Sequence, residues 1–330
     1  MCLLLLYLLN GCAAIPYDYP RPVSSALHRP EGTGLGKKVQ ARAMFHPGES
    51  GFYLLPTGLD AFTARALLID RAEKTLDLQY YIFHDDLLGR FVYDRLLAAA
   101  DRGVRVRLLL DDWHQTPETD LLLASMATHP NLEVRLFNPF GTHRRTFLAR
   151  ALRMAFGPDR LRGRLHNKAF IADNSVAIVG GRNIGAEYFG TSDEFNFYDV
   201  DILAAGPIAR EASANFDEYW NCVLALPVSA LVRRQPGALA DRQSPASLAQ
   251  ALLGLAIDLL GDQPLTFAGF DAGLDFIGVG GAGEPRAGPG SRLHVSEAQD
   301  PVPLRLRRCR QRVVGRDRGA ATAGRTVSLK

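Results

Sequence analysis

RLHNKAFIADNSVAIVGGRN, residues 164–183, decides how the rest of the chain is read. It holds two short apolar runs, RLHNKAFIA and SVAIVGG, joined at Asp173-Asn174. Asn and Asp suit tight turns, so the pair predicts a β-hairpin. A hairpin is antiparallel, whereas strands joined through helices run parallel. One hairpin among strand–helix units therefore predicts a mixed sheet.

Working outward, those units are present. AFTARALLIDRAEK, LLGRFVYDRLLAAADRG and TDLLLASMATH carry apolar residues at helical spacing, and Gly103 provides a stop for the second. TLDLQYYIF, VRVRLLLDD and LEVRLFN read as strands, and RTFLARALRMAF as a basic helix. After the hairpin come a short helix, NIGAEYFG, a strand, YDVDILAAG, and a helix opened by Pro207, PIAREASANFDEYWNCV. The fold class is α/β, with helices layered on a mixed central sheet.

The ends differ from this body. Residues 1–12 form a short apolar run that matches a signal-peptide core, and Leu9-Asn10-Gly11-Cys12 resembles a lipoprotein box with Cys12 acylated. That predicts an envelope protein anchored to a membrane and facing the periplasm. Residues 13–50, rich in Pro, Gly and Ser, read as a linker. The body is expected over 51–235 and the start of an incomplete second half over 236–280. Residues 281–330 hold eleven Lys and Arg against four Asp and Glu, with seven Gly, four Pro and no aromatic residue. They read as a disordered or frameshifted basic tail. The basic pI of 8.7 comes from this tail, so the body offers no charge argument for nucleic acid. Four scattered cysteines give no disulfide or zinc pattern, and Cys222 reads as a packed thiol.

The hairpin carries the chemistry. On a strand, His166 and Lys168 project to one side. An adjacent ammonium disfavours protonation of the imidazole and leaves it a neutral nucleophile. Lys168 presents a compact charge to a phosphate oxygen, and Asn183 an amide N–H. Gly180 and Gly181, without side chains, let an anion approach the backbone. Taken singly, His-x-Lys is an exposed strand edge and Asp173 a turn residue. In combination they point to attack on phosphorus with donors waiting for the charged oxygens.

His166-x-Lys168, then Asp173, then Gly-Gly-Arg-Asn resembles the HKD signature of the phospholipase D superfamily. The flanking segments across roughly residues 55–235 are similar to the first half of its bacterial cardiolipin-synthase-like lipoproteins. The resemblance implies an α-β-α sandwich and phosphodiester transfer with no metal and no cofactor. It implies that His166 forms a phosphohistidine, that Lys168 and Asn183 bind phosphoryl oxygens, and that Asp173 fixes the turn and the lysine. An acidic residue beyond the motif would orient His166; Asp199 fits by spacing, with Asp201 next. The substrate implied is a phospholipid, phosphatidylglycerol, at a membrane surface, with no nucleic acid as partner. Hydrolysis of a phosphodiester and a non-catalytic truncated lipoprotein are the alternatives.

Such proteins use two HKD motifs, the second histidine protonating the leaving alcohol. This sequence has one, so either a homodimer or a missing C-terminal half is implied, and an isolated monomer is expected to be inactive or nearly so. Other features read plainly. Seven Arg between residues 144 and 164 could hold anionic headgroups. Asp111 and Asp112 are too few ligands for a metal, and Tyr80 and Tyr81 read as core and sheet-face residues. LAQALLGLAIDLLGDQP is an apolar helix too short to span a bilayer.

Overall fold

A computed structural model describes residues 15–140, 163–232 and 275–277. Cys12, the residue 1–12 leader, the basic helix at 145–156 and the 281–330 tail lie outside these residues. Among the described residues no helix is long and apolar enough to cross a membrane.

Among the described residues, five α-helices, α1 (Gly34–Ala43), α2 (Gly58–Arg71), α3 (Leu87–Asp101), α4 (Pro117–Met126) and α5 (Pro207–Trp220), accompany nine strands. The strands are β1 (Ser50–Leu55), β2 (Thr75–Tyr80), β3 (Arg105–Asp111), β4 (Leu132–Phe137), β5 (Ala169–Ala172), β6 (Val176–Gly180), β7 (Asp201–Ala205), β8 (Ala225–Pro227) and β9 (Asp275–Ile277). They form one sheet in the order β8-β4-β3-β2-β5-β6-β7-β1-β9. Only β2–β3 and β3–β4 pair in parallel; the β5–β6 hairpin and the pairs around it are antiparallel. The sheet is therefore mixed.

Strand alternation explains the layers. Leu108, Leu110, Phe170 and Ile178 join one apolar cluster with Leu68, Leu96 and Leu123 of α2, α3 and α4. The intervening Leu109, Ile171 and Ala177 join another with Ala209, Phe216 and Trp220 of α5. A strand buried on both faces presents alternate residues to each. The result is an α-β-α sandwich. Helices α1–α4 begin at side-chain caps, among them a reciprocal box of Thr57 and Asp60 at α2 and Asp86 at α3, while α5 opens on Pro207 without one.

The expected linker is part of the domain. Residues 30–32 form a 3-10 turn and α1 follows it. Upstream, Ser24 accepts a hydrogen bond from Trp220 Nε1 at 2.9 Å, and the Pro22 carbonyl accepts one from Arg135 at 2.7 Å. Composition misled here, because beside the Ser24 hydroxyl this segment docks largely through backbone carbonyls, of Pro22 and Ser24, that a count of side chains does not register. The expected second half also begins differently: β9 pairs antiparallel with β1 and extends the same sheet. Cys222, read as a packed side chain, is buried.

Two arginines lie in the sandwich under α5. Arg107 bonds both oxygens of Asp77 at 2.6 and 2.8 Å and Asp217 at 2.8 Å, with Phe216 across its plane at 4.8 Å. Arg135 lies 4.2 Å from the Trp220 ring. Burial alone would weaken both charges; at Arg107 the carboxylates outweigh that loss, whereas at Arg135, with Glu133 as its carboxylate, burial prevails and the pKa is lowered. Arg107→Met is expected to lower unfolding free energy by about 3–5 kcal/mol, because Asp77 stays buried and uncompensated. Chemical denaturation checks this.

Candidate active site

The parallel strands β2 and β3 end at the same side of the sheet. Because β5 runs antiparallel to β2, with Gln79 opposite Ala169, the residues before β5 emerge there too. So do the end of β6 and the start of β7, where Gly180 pairs with Asp201. Carboxyl ends of parallel strands are where ligand sites of open α/β sheets collect.

His166 and Lys168 stand just before β5, not on it. The expected strand RLHNKAFIA begins only at Ala169. Their pairing therefore rests on anchors rather than on pleat. Asp111, fully buried at the end of β3, accepts from the Leu165 N–H at 2.7 Å and from Arg164 Nε at 3.1 Å. Asn138 Nδ2 donates to the Gly163 carbonyl at 3.0 Å, and Arg164 returns a bond to the Asn138 carbonyl at 2.8 Å. Leu165 is buried in the α5-side core, and Asn167 bonds the Tyr219 side chain. His166, between these two, is left exposed. Asp111 and Asp112 thus act as clamps, Asp112 accepting from the Phe140 N–H at 2.7 Å.

Lys168 is nearly buried, and its Nζ sits 3.2 Å from both ring nitrogens of His166 and 2.8 Å from the His166 carbonyl. The His166 pKa is lowered from the ordinary 6.5, first by burial and then by the Lys168 charge. The Lys168 pKa is also lowered by burial, with Asp199 opposing that shift. Like charges near each other and short of water favour the neutral imidazole.

Gly180 and Gly181 have a different reason from the one expected. A Cβ on Gly181 would lie 2.0–2.3 Å from the Asp199 carboxylate, and one on Gly180 would lie 2.0 Å from Asp201 Oδ1. The absent side chains make room for these two carboxylates. Asp201 is buried against Arg65 at 2.9 Å and Arg182 at 3.7 Å, a structural ion pair. Asp199, the expected orienting residue, precedes β7 and accepts from the Val200 N–H at 2.9 Å. Its electrostatic partner in the site is Lys168. Gly181→Ala would expel this carboxylate. The expected result is a rate fall of roughly tenfold, with the alkaline limb of the pH profile moved to lower pH as Lys168 loses support; a pH–rate series checks it.

Asn183 is buried, accepts from the Ile82 N–H at 3.0 Å and bonds the Tyr188 side chain. Asp173 lies at the far end of β5, about 16 Å from Lys168 at roughly 3.3 Å per residue. It takes a left-handed φ of 49° and accepts from the N–H groups of Glu73, Lys74 and Thr75 at 2.8–3.0 Å. It holds the turn and the start of β2, and has no direct part in placing the lysine.

Tyr81 and His114 belong to the site and were not foreseen. The Tyr81 ring lies 5.1 Å from His166 and 4.9 Å from His114. The signal available was position: each follows the end of a parallel strand. His84, Asp86 and Glu187 converge within 4.8 Å. His84 pairs with Glu187 at 3.3 Å, while Asp86 accepts from Gly89 and Ala186 at 2.8 and 2.6 Å. The trio fastens residues 184–188 to α3.

Residues 67–220 match the family described as cardiolipin synthase, PLD-like domain. Cardiolipin synthase C of Escherichia coli K12 is 47% identical over 203 residues, which are 61% of this chain and 42% of that protein. An uncharacterized protein of Helicobacter pylori 26695 is 37% identical over 226 residues, 68% of this chain and 44% of the relative. The chain thus spans less than half the length of these curated relatives. Among solved structures, phosphatidylserine synthase of Haemophilus influenzae Rd KW20 aligns with a TM-score of 0.42 at 16% identity, covering 66% of this chain and 48% of that one.

Proposed function

We propose that residues 67–220, which match the PLD-like domain model described as cardiolipin synthase, form a domain that transfers a phosphatidyl group between alcohols. His166 attacks the phosphorus of a phosphatidylglycerol, the P–O bond to the headgroup alcohol breaks, and a phosphohistidine forms. A second alcohol then attacks that phosphorus and releases the imidazole. Water in place of the alcohol would make the same step a hydrolysis. The observation that carries the reading is Lys168 Nζ at 3.2 Å from the exposed imidazole. One cation thereby keeps the nucleophile neutral and stands ready for the phosphoryl oxygens.

The departing alkoxide needs a proton, and general acid catalysis is typically worth ~10²–10⁴ in rate. We assign it to a second histidine of the same kind, from another copy of the domain or from the remainder of a longer polypeptide. The membrane-anchored, periplasmic setting expected from the lipoprotein-like start is part of the same proposal.

The test is conversion of phosphatidylglycerol to cardiolipin by the purified chain over a range of protein concentrations. Product whose rate rises more steeply than protein concentration supports acid supplied by a second copy. Phosphatidic acid alone would make the domain a hydrolase, and no product at any concentration counts against catalysis by this chain. The pH dependence has a set sign. Because the His166 pKa is lowered from 6.5, the nucleophile is already unprotonated at neutral pH and the acid limb falls below pH 6.5. Lys168→Met removes a neighbouring cation and is expected to move that limb upward, measured on the residual activity.

A further inference from the structure

The segment between the 184–188 turn and β7 exposes apolar side chains that the core does not use. Phe195 is 54% exposed, Phe197 49%, Val200 49% and Tyr198 fully so. They are not scattered. Phe195 meets Phe197 edge-on at 5.2 Å, and Phe197 stacks on Tyr188 at 5.0 Å. Tyr188 in turn bonds Asn183, and Asp199 of the same loop faces Lys168. On the neighbouring strand β6, Val179 is 37% exposed. The patch is thus a lip continuous with the phosphoryl site, and exposed apolar patches of this kind mark interaction surfaces.

Charge narrows the occupant. Residues 187–206 hold five carboxylates, Glu187, Asp193, Glu194, Asp199 and Asp201, and no Lys or Arg. Aromatic side chains also stack nucleic-acid bases, but such grooves pair them with cations that follow the backbone. Within residues 187–206 no cation accompanies the rings, so the lip lacks the charge that follows the backbone in a base-stacking groove. Rings with polar edges suit the boundary of a lipid layer, where the apolar body enters the acyl region and the polar groups stay at headgroup level.

We propose that Phe195, Phe197, Tyr198 and Val200 form an insertion lip that enters the acyl region of a lipid surface and brings a membrane-resident diester to His166. This rests on the lipid reading above and adds where the lipid is met. The test uses the full chain carrying Tyr198→Trp, with the unaltered chain, which holds two tryptophans, as the baseline. The probe is phosphatidylcholine vesicles whose acyl chains are brominated. The expected result is added emission that moves to shorter wavelength and is quenched at least about twofold by the bromines, with Phe195→Ser and Phe197→Ser together removing the quenching. A lip that stays at water-exposed wavelength in the presence of vesicles, whether or not the chain binds them elsewhere, overturns the proposal. So does a shift that appears without lipid and grows with protein concentration, which would mean a second protein surface covers the lip. His166→Ala leaves the quenching unchanged, so failure of insertion and failure of the chemistry are told apart.

Discussion

His166→Ala is expected to leave no measurable phosphatidyl transfer at a protein concentration where the unaltered chain turns over. The fall should be at least about a thousandfold, since both the covalent step and the geometry around Lys168 go with it. Folding should be untouched. The imidazole is exposed, and its flanks are held by Leu165 and Asn167, not by the ring. Thermal unfolding within about a degree of the parent would therefore accompany the lost activity. Activity that survives, or a large loss of stability, contradicts the role given to this side chain.

Asp173→Ala should do the reverse. Its carboxylate is buried and accepts from three successive N–H groups that open β2. Bonds to a charged acceptor are worth about 1.5–3 kcal/mol each, and donors left unpaired add to the loss. Alanine also disfavours the left-handed backbone found at this position. A destabilisation of about 3–5 kcal/mol is expected, measured by chemical denaturation. Asp173→Asn, which keeps an acceptor and tolerates the backbone, should lose roughly half as much. Phosphohistidine formed per folded molecule should change little in either variant. A catalytic defect without unfolding would show that the motif aspartate reaches the site after all.

The hairpin was legible because Asp and Asn at its turn are chemically suited to the positive φ they adopt, 49° and 50°. Helices α2–α5 were legible from apolar spacing and from Gly103 and Pro207 at their ends, and the mixed sheet followed; α1 was not, because it lies in the Pro- and Gly-rich stretch read as a linker. The edges were not: β8 and β9 are three residues each, and β9 pairs with β1 far back in the sequence. Within the site, His166 and Lys168 were found by type and spacing, but the reason they face each other was not. That reason is a buried carboxylate, Asp111, more than 50 residues upstream, which pattern alone links to nothing. For the glycine pair, sequence does not say that the Asp199 and Asp201 carboxylates lie where a Cβ would stand. Tyr81 was hidden because strand alternation assigns a residue to a face but not to the end of the sheet where that face opens on a ligand.

The most direct measurement is to quench the chain with phosphatidylglycerol labelled at phosphorus, under alkaline conditions that preserve phosphoramidates, and to map the label. The account predicts acid-labile phosphate on His166, absent from His166→Ala. Label that is acid-stable, that sits on another residue, or that fails to appear even when a second copy of the domain is supplied in excess would contradict it.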